Sequence, residues 1–391
     1  MSKKVKLQDY IQIQNGYAFK SNLFQNFGIP VVRITNVENG KLNLDKVVYY
    51  SEDKKLDKFI IKKDDILLSL TGDDKTLKVC INDNDKKIYL NQRVAILRSK
   101  ESLIQKYLYY SIKKYSSLIL EKAKGIAQKN ISVDDINSVE IPLPSIEKQN
   151  QIAKTLDKAN ELIELRRESI TKLDALAKSI FIDMFGDPVD NPMNWDITTM
   201  KDLNVILEGG KNIAQSSNDK NIKNYILKIS AVTSGEFNSN EIKPLPNDYN
   251  VPKNHFIKRG DLLMSRANTS LLVGSTAYIK ESYDNLVLPD KIWRFVFPEN
   301  VKLNKIFYWK LAQTKSIRNE ISNRATGTSG SMKNISKPKA LSIPIIYPPL
   351  ELQNKFARII EKIEEQKSLY EKELELLQNN FDALLQKSFQ E

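Results

Sequence analysis

The chain is 391 residues long, enough for two or three domains with sizeable cores. Charged residues make up 28% and hydrophobic residues 41%, and 60 Lys+Arg against 48 Asp+Glu give a formal charge of +12, a surplus that favours a polyanionic partner unless it reflects only a lysine-rich composition. A single cysteine excludes an internal disulfide and a cysteine cluster for zinc, the N-terminus lacks the apolar core of a signal peptide, and no apolar run approaches the ~20 residues that cross a bilayer, so a cytoplasmic protein without a membrane partner is expected.

From the N-terminus, "IPVVRITNVENGKLN" (29–43) reads as a short β-rich run, Val31–Ile34, ending at the turn dipeptide Asn39-Gly40. "FIIKKDDILLS" (59–69) sets a buried-strand candidate, Ile66–Leu70, after a charged turn carrying Asp65. "TGDDKTLK" (71–78) reads as a solvated loop. Leu103–Leu120 has the length and apolar spacing of a helix. A second polar loop, "EKAKGIAQ" (121–128), leads into "KNIS" (129–132), then Ile141-Pro142, then Glu147-Lys148-Gln149. Residues 1–144 therefore form one mixed α/β domain.

Residues 145–185 contain neither Pro nor Gly. Ile152, Ala159, Arg166, Leu173 and Ile180 lie seven apart, and Leu156, Ile163, Ile170, Ala177 and Met184 form a second row, together an a/d seam. At ~1.5 Å per residue such a helix is about 60 Å long. "GDPVDNPMNW" (186–195) ends it with a glycine and two prolines.

The same order is then written again. "NYILKISAVTSGEFN" (224–238) follows the pattern of 29–43, with Ile226–Ile229 as the β-rich run and Ser234-Gly235 as the turn. "HFIKRGDLLMS" (255–265) matches 59–69, with Leu262–Met264 as its strand candidate and Asp261 on Asp65. "RANTSLLVG" (266–274) and "RATGTSGSM" (324–332) stand where the two earlier loops stood, on either side of a helical stretch, Leu303–Ile321. A second KNIS (333–336), Ile343-Pro344 and Glu351-Leu352-Gln353 close residues 186–348, and residues 349–391 carry the seam again. Its rows are Phe356, Ile363, Tyr370, Leu377, Leu384 and Ile360, Lys367, Leu374, Phe381, Ser388. One offset, 204 residues, aligns both the KNIS segments and the seams.

A helix with an apolar stripe does not stand alone in water. The expected fold class is therefore α+β: two mixed α/β domains joined by two long helices in an antiparallel coiled coil, a pseudo-twofold repeat. Its seam sets Leu156, Ile163, Ile170, Leu173 and Ile180 against Ile360, Ile363, Leu374, Leu377 and Leu384. The alternative is that each helix packs on its own domain. Arg166 and Lys367 interrupt the apolar rows, fixing register or snorkelling.

Catalytic patterns are scarce. The one histidine, His255, precedes a Phe256-Ile257 strand and has no cysteine or second histidine beside it in sequence. The sequence has no P-loop, no Gly-x-Gly-x-x-Gly turn and no Asn/Asp-Pro-Pro-aromatic tetrapeptide, and "TGTSGS" (326–331) reads as a flexible loop, with phosphate cradling the lesser reading. No catalytic or metal-ligating residue is assigned. The divergent loops hold residue types that suit DNA: Arg and Lys for guanine, Asn and Gln for adenine, hydroxyls and Lys for phosphate. The base-contact candidates are Lys75, Lys78, Lys124, Gln128, Arg266, Asn268, Arg324 and Thr328, with Lys129 and Lys333 for phosphates. Unconstrained surface loops would diverge in the same way.

The doubled helix segment, "KNISVDDINSVEIPLPSIEKQNQIAKTLDKANELIELRRESITKLDALAKSIFIDMFGDP" (129–188) and its second version (333–390), strongly resembles the specificity (S) subunits of type I restriction–modification enzymes. "IPVVRITNVENGKL" and "FIKRGDLLMSRA" resemble that family's target-recognition domains, and the likeness covers essentially the whole chain. "IPIIYPP" (343–349) departs from the usual Ile-Pro-Leu-Pro, which leaves that loop's geometry in question. The resemblance implies two target-recognition domains, each reading one half of a bipartite asymmetric DNA site with a fixed unread spacer. It implies long helices that measure the spacer and scaffold two modification (methyltransferase) subunits, which methylate adenine N6. Restriction (translocase/nuclease) subunits complete the complex. S-adenosylmethionine, ATP and Mg belong to those partners, and this chain carries no cofactor and no catalysis. A recognition subunit of an enzyme that cuts on both sides of its site, a coiled-coil adaptor without a DNA role, and a self-sufficient enzyme are the competing readings.

Overall fold

The computed structural model describes residues 3–38, 40–72, 76–125, 129–213, 221–329 and 332–390, and the side chains of 328 and 329 are outside it. The chain divides into two compact units. One is Met1–Arg167 with Lys372–Glu391; the other is Glu168–Glu371.

In the first unit an antiparallel four-stranded sheet runs in the order Ile11–Asn15, Val94–Ser99, Ile66–Ser69, Val79–Ile81. Ile66–Ser69 is buried along its whole length because it has a core on each face. The two-residue period of a strand sends Ile66 and Leu68 into one core, with Tyr107, Leu108 and Ile112, and Leu67 into another, with Cys80 and Ile96. A three-stranded sheet, Val48–Tyr50, Ile29–Val32, Tyr89–Leu90, lies beside it in sequence and includes one parallel pair. The first domain's Ile-Pro pair lies on strand Glu140–Pro142, which returns to pair with Lys4–Lys6 near the N-terminus. Proline suits this short two-stranded edge.

The second unit repeats this topology. Its four strands are Ile206–Gly209, Ile292–Val296, Leu262–Ser265 and Thr276–Tyr278, and its three are Ile242–Pro244, Tyr225–Leu227 and Leu286–Val287. Leu262 and Met264 enter one core and Leu263 the other, as in the first unit. Strand Pro344–Ile346 returns to Ile197–Thr199.

Four sequence expectations are corrected. Residues 71–78 are not simply a solvated loop: Thr71–Gly72 is a strand, and Thr71 and Leu77 are buried. Leu103–Leu120 is two helices, Gln105–Lys114 and Ser116–Lys122, and Leu303–Ile321 is likewise split into Lys305–Ala312 and Lys315–Arg324. Phe256 makes a single bridge to Val287, and Phe256-Ile257 is not a strand. Thr326–Ser329 is not a loop: its small residues form a strand against Met332–Asn334.

The long helices are Ile146–Phe185 and Leu350–Ser388. Each begins on a buried glutamine. Gln149 Oε1 accepts from the Ile104 N–H (2.8 Å) and Nε2 donates to the carbonyls of Ser102 (2.9 Å) and Pro144 (3.0 Å). Gln353 repeats this with the Asn304 N–H (2.9 Å), Lys302 (3.2 Å) and Pro348 (2.8 Å). In the second unit the helices run antiparallel: Asp174 pairs with Lys367 (2.6 Å), and further along the first helix Phe181 meets Phe356 with ring centroids 5.5 Å apart. In the first unit Arg166 pairs with Glu373 (2.8 Å). Both interruptions of the seam are thus ion-paired.

Leu156 and Ile163 are buried in the first unit's core, with Leu374, Leu377 and Leu384 half-buried against it. Ile360 and Ile363 are buried in the second, with Leu173 and Ile180 half-buried against it. Ile170 is half-buried. The seam residues pack on globular domains as well as across the helix pair, so the two packing alternatives coexist. An aromatic side chain set in a core stands at the end of each long helix: Phe185, the last residue of the first, meets Phe307 at 4.8 Å in the second unit, and Phe389, just past the second, meets Tyr107 at 5.1 Å in the first.

Candidate nucleic-acid interface

In both units the two divergent loops are drawn together by the KNIS strand. In the first unit Thr71–Gly72 pairs antiparallel with Lys129–Asn130, setting Lys129 opposite Gly72. The Ile131 N–H donates to Leu70 O (2.9 Å), and Ile131 is buried in the core. In the second, Ala267–Asn268 pairs with Met332–Asn334, setting Lys333 opposite Asn268, and Thr326–Ser329 adds on the other side. The Ile335 N–H donates to Arg266 O (3.1 Å), and Ile335 is buried.

The four letters of KNIS therefore divide their work. Lys and Asn lie on the strand that joins the loops, Ile anchors it, and Ser begins a short helix. Ser132 caps Val133–Asn137 through a reciprocal box with Asp135: Ser132 Oγ accepts the Asp135 N–H (3.1 Å) and the Asp135 carboxylate accepts the Ser132 N–H (2.7 Å). Ser336 holds the same position before Lys337–Leu341 but makes no side-chain cap, and Pro338 sits in the first turn.

Of the candidate contact residues, Lys75 and Gln128 lie outside the described residues, as does the side chain of Thr328, whose backbone is in strand Thr326–Ser329. Lys78 is exposed just before strand Val79–Ile81, and Lys124 is exposed with its carbonyl accepting the Asn130 N–H (2.8 Å). Lys129 is half-buried. Arg266 is half-buried and pairs with Asp290 (2.9 Å). Asn268 Oδ1 accepts the Thr269 N–H (2.8 Å), which closes the start of the loop. Arg324 is drawn inward: Nη1 donates to Ser342 O (3.1 Å) and Nη2 pairs with Glu320 (3.3 Å). Lys333 Nζ reaches Ser322 O (3.4 Å) and Lys339 Nζ reaches Arg324 O (3.1 Å), two carbonyls at the C-terminal end of helix Lys315–Arg324 where its dipole favours cations.

At the start of each central strand a matched ion pair ties it to the neighbouring strand. Asp65 accepts two charge-assisted bonds from Arg98, each 2.6 Å, and the Lys62 N–H (2.7 Å). Asp261 pairs with Arg294 (3.2 Å) and accepts the Lys258 N–H (2.8 Å). The arginines went unnoticed in the sequence because they lie 33 residues downstream of their partners. His255 is half-buried, and burial, then Lys211 and Arg294, hold its pKa below the usual imidazole value, which favours the neutral ring. Among the described residues no group of three or more His, Cys, Asp or Glu side chains could hold a metal, and no helix is long and apolar enough to cross a membrane.

Comparison with known proteins follows the repeat. A family model described as the type I restriction modification DNA specificity domain matches residues 2–175 and again residues 192–379. The EcoKI specificity subunit of a type I restriction enzyme of Escherichia coli strain K12 is 23% identical over 363 residues, covering 88% of this chain and 76% of that one. The MjaVIII specificity subunit of Methanocaldococcus jannaschii is 26% identical over 342 residues, covering 82% and 76%. Among solved structures, a type I restriction–modification S subunit from M. genitalium superposes with a TM-score of 0.58 at 19% identity, covering 100% of this chain and 96% of that one. A chain solved in work on complex assembly and conformational transition of the type I R-M system gives 0.52 at 16% identity, covering 99% and 97%. These likenesses carry the fold.

Proposed function

We propose, on the premise that the chain belongs to the type I restriction–modification DNA specificity family, that its two units each read one half of a bipartite, asymmetric DNA site across a fixed unread spacer. The chain is a non-catalytic recognition subunit of such a system. Its partners are double-stranded DNA, two methyltransferase subunits that modify adenine N6, and restriction subunits. S-adenosylmethionine, ATP and Mg are bound by those partners, in the cytoplasm.

The observation that carries this reading is the repeated meeting of two divergent loops at an equivalent strand, Lys129–Asn130 in one unit and Met332–Asn334 in the other. A shared frame with different loops is what two readers of two different sequences require. Lys78, Lys124, Arg266 and Asn268, with Lys75, Gln128, Arg324 and Thr328, are proposed for base edges, and Lys129 and Lys333 for phosphates. The formal charge of +12 supports a polyanionic partner. Two modest half-site affinities joined by a stiff spacer gain from effective concentration.

The test is to map methylated adenines genome-wide with and without this gene, then to replace residues 186–348 with those of a relative. One half of the recognised motif should change and the other remain. A change in both halves would refute the assignment of one reader to each unit. Deleting one helical turn from each long helix should alter the tolerated gap, and an unaltered gap would remove the helices from any measuring role.

A further inference from the structure

Leu271 has the most exposed side chain among the large apolar residues described, at 84%. Isolated surface leucines are ordinary. This one is held out by a rigid support. Its carbonyl accepts from Arg318 Nη2 (2.9 Å), and the preceding Ser270 carbonyl accepts from Ser322 Oγ (2.8 Å), both from helix Lys315–Arg324. Within the turn the Leu272 and Val273 N–H groups both donate to Thr269 O (3.0 and 2.9 Å). Val273 is fully buried, and Gly274 has φ +75 with so little room that a Cβ there would lie 2.3 Å from Ile321 Cγ2. The loop is clamped against the helix on one side of Leu271 and sunk into the core on the other.

Its setting is the second unit's candidate interface, three residues beyond Asn268, which pairs with Lys333. Directly behind it Arg318 is half-buried, its Nη1 is itself buried without a hydrogen-bond partner, and burial holds the guanidinium below its usual range, so this arginine serves the loop's support from within. A clamped loop that presents an apolar tip three residues beyond Asn268, on a chain of formal charge +12, fits a ligand with an apolar group among anionic ones. Duplex DNA offers this in the major groove, where the thymine C5-methyl is the apolar feature of an otherwise polar edge flanked by phosphates.

We infer that Leu271 is a specificity-determining residue of the second unit, making the apolar contact to a thymine methyl in its half-site, with Arg318 as the positioning residue that fixes the loop. This rests on the DNA-reading function proposed above. The test uses the full chain in complex with its methyltransferase subunits, wild type and Leu271→Ser, and reads the methylation motif of each. The expected result is relaxed preference at one thymine of one half-site, the other half unchanged. On duplexes carrying the wild-type motif, deoxyuridine at that thymine should weaken wild-type binding about fourfold, the effect of withdrawing one buried methyl, and leave Leu271→Ser unaffected. Arg318→Met, if it folds, should blur the same position. An unchanged motif in Leu271→Ser, relaxation at a G·C pair, or equal weakening on every sequence would overturn the inference. A wild-type complex that yields no bipartite motif would instead sink the function on which it rests.

Discussion

The side chain of Gln149 closes on the backbone of Ile104, accepting its N–H at 2.8 Å from a position with no solvent exposure. Ile104 precedes helix Gln105–Lys114 as its N-cap residue, so the glutamine satisfies a backbone group at a helix start while its amide ties the two chain segments on either side. Replacing it with leucine keeps the bulk and strands the Ile104 N–H together with two carbonyls. Gln149→Leu should destabilise the first unit by about 2–4 kcal/mol, read as a lower urea midpoint and faster amide exchange at Ile104. Gln353→Leu should do the same at Asn304 in the second. Wild-type exchange at Ile104 in the variant would show that the clasp does not hold that helix.

A buried ionic cluster sets the acid limit of the second unit. Glu364 accepts from Lys310 (2.8 Å) and Lys280 (2.6 Å), and Lys367 joins Asp174 beside it. Burial pushes the Glu364 carboxyl up, Lys310 and then Lys280 pull it down, and the pull wins. A carboxyl held below its unfolded value stabilises the fold above that value, near 4.5, and the contribution is lost as pH falls through the folded pKa. The second unit's melting temperature should therefore drop on acidification below that point. Glu364→Gln should cost about 3 kcal/mol at neutral pH and flatten that acid limb; an equally steep limb in the variant would place the titration elsewhere.

The two KNIS serines are not equivalent. Ser132 makes a complete capping box and Ser336 makes no side-chain cap. Ser132→Ala should cost about 1 kcal/mol by thermal or urea unfolding, and Ser336→Ala a few tenths at most. Equal costs would contradict the geometry.

Cys80 is buried against Leu67 and Ile96, and burial, then Asp83 and Glu38, push its thiol up to about 12. Iodoacetamide at pH 8 should leave the native chain unmodified and alkylate it in urea, which makes this thiol a mass-readable marker of opening in the first domain. Rapid native alkylation would mean that this core opens readily.

Periodicity made the repeat, the long helices and the central strands legible. Ile66, Leu67 and Leu68 announce a doubly buried strand, and the sevenfold spacing from Ile152 to Ile180 announces a helix, because these patterns are local. What went unread depends on distant partners. The glutamine clasp uses backbone groups some 45 residues upstream, which leave no mark in residue type. The break after Lys114 falls between stretches that both carry helical spacing. Thr326–Ser329 has loop composition and becomes a strand only because Met332–Asn334 is there to pair with it. The interface candidates are legible in the divergence of the two loop pairs, whereas the inward commitment of Arg324 depends on Ser342 and Glu320 in the folded unit.

Phe389 and Phe381 complete a core whose other members come almost entirely from the first 163 residues. The whole of Glu168–Glu371 has to be synthesised in between. At ~5–20 residues per second the first domain waits on the order of ten to forty seconds on the ribosome with that apolar face uncovered. The second unit is contiguous in sequence and has no such delay once its last residue emerges. Order of synthesis and order of completion are therefore reversed in this chain: the domain made first is finished last, and its exposed interval is when a chaperone would find it.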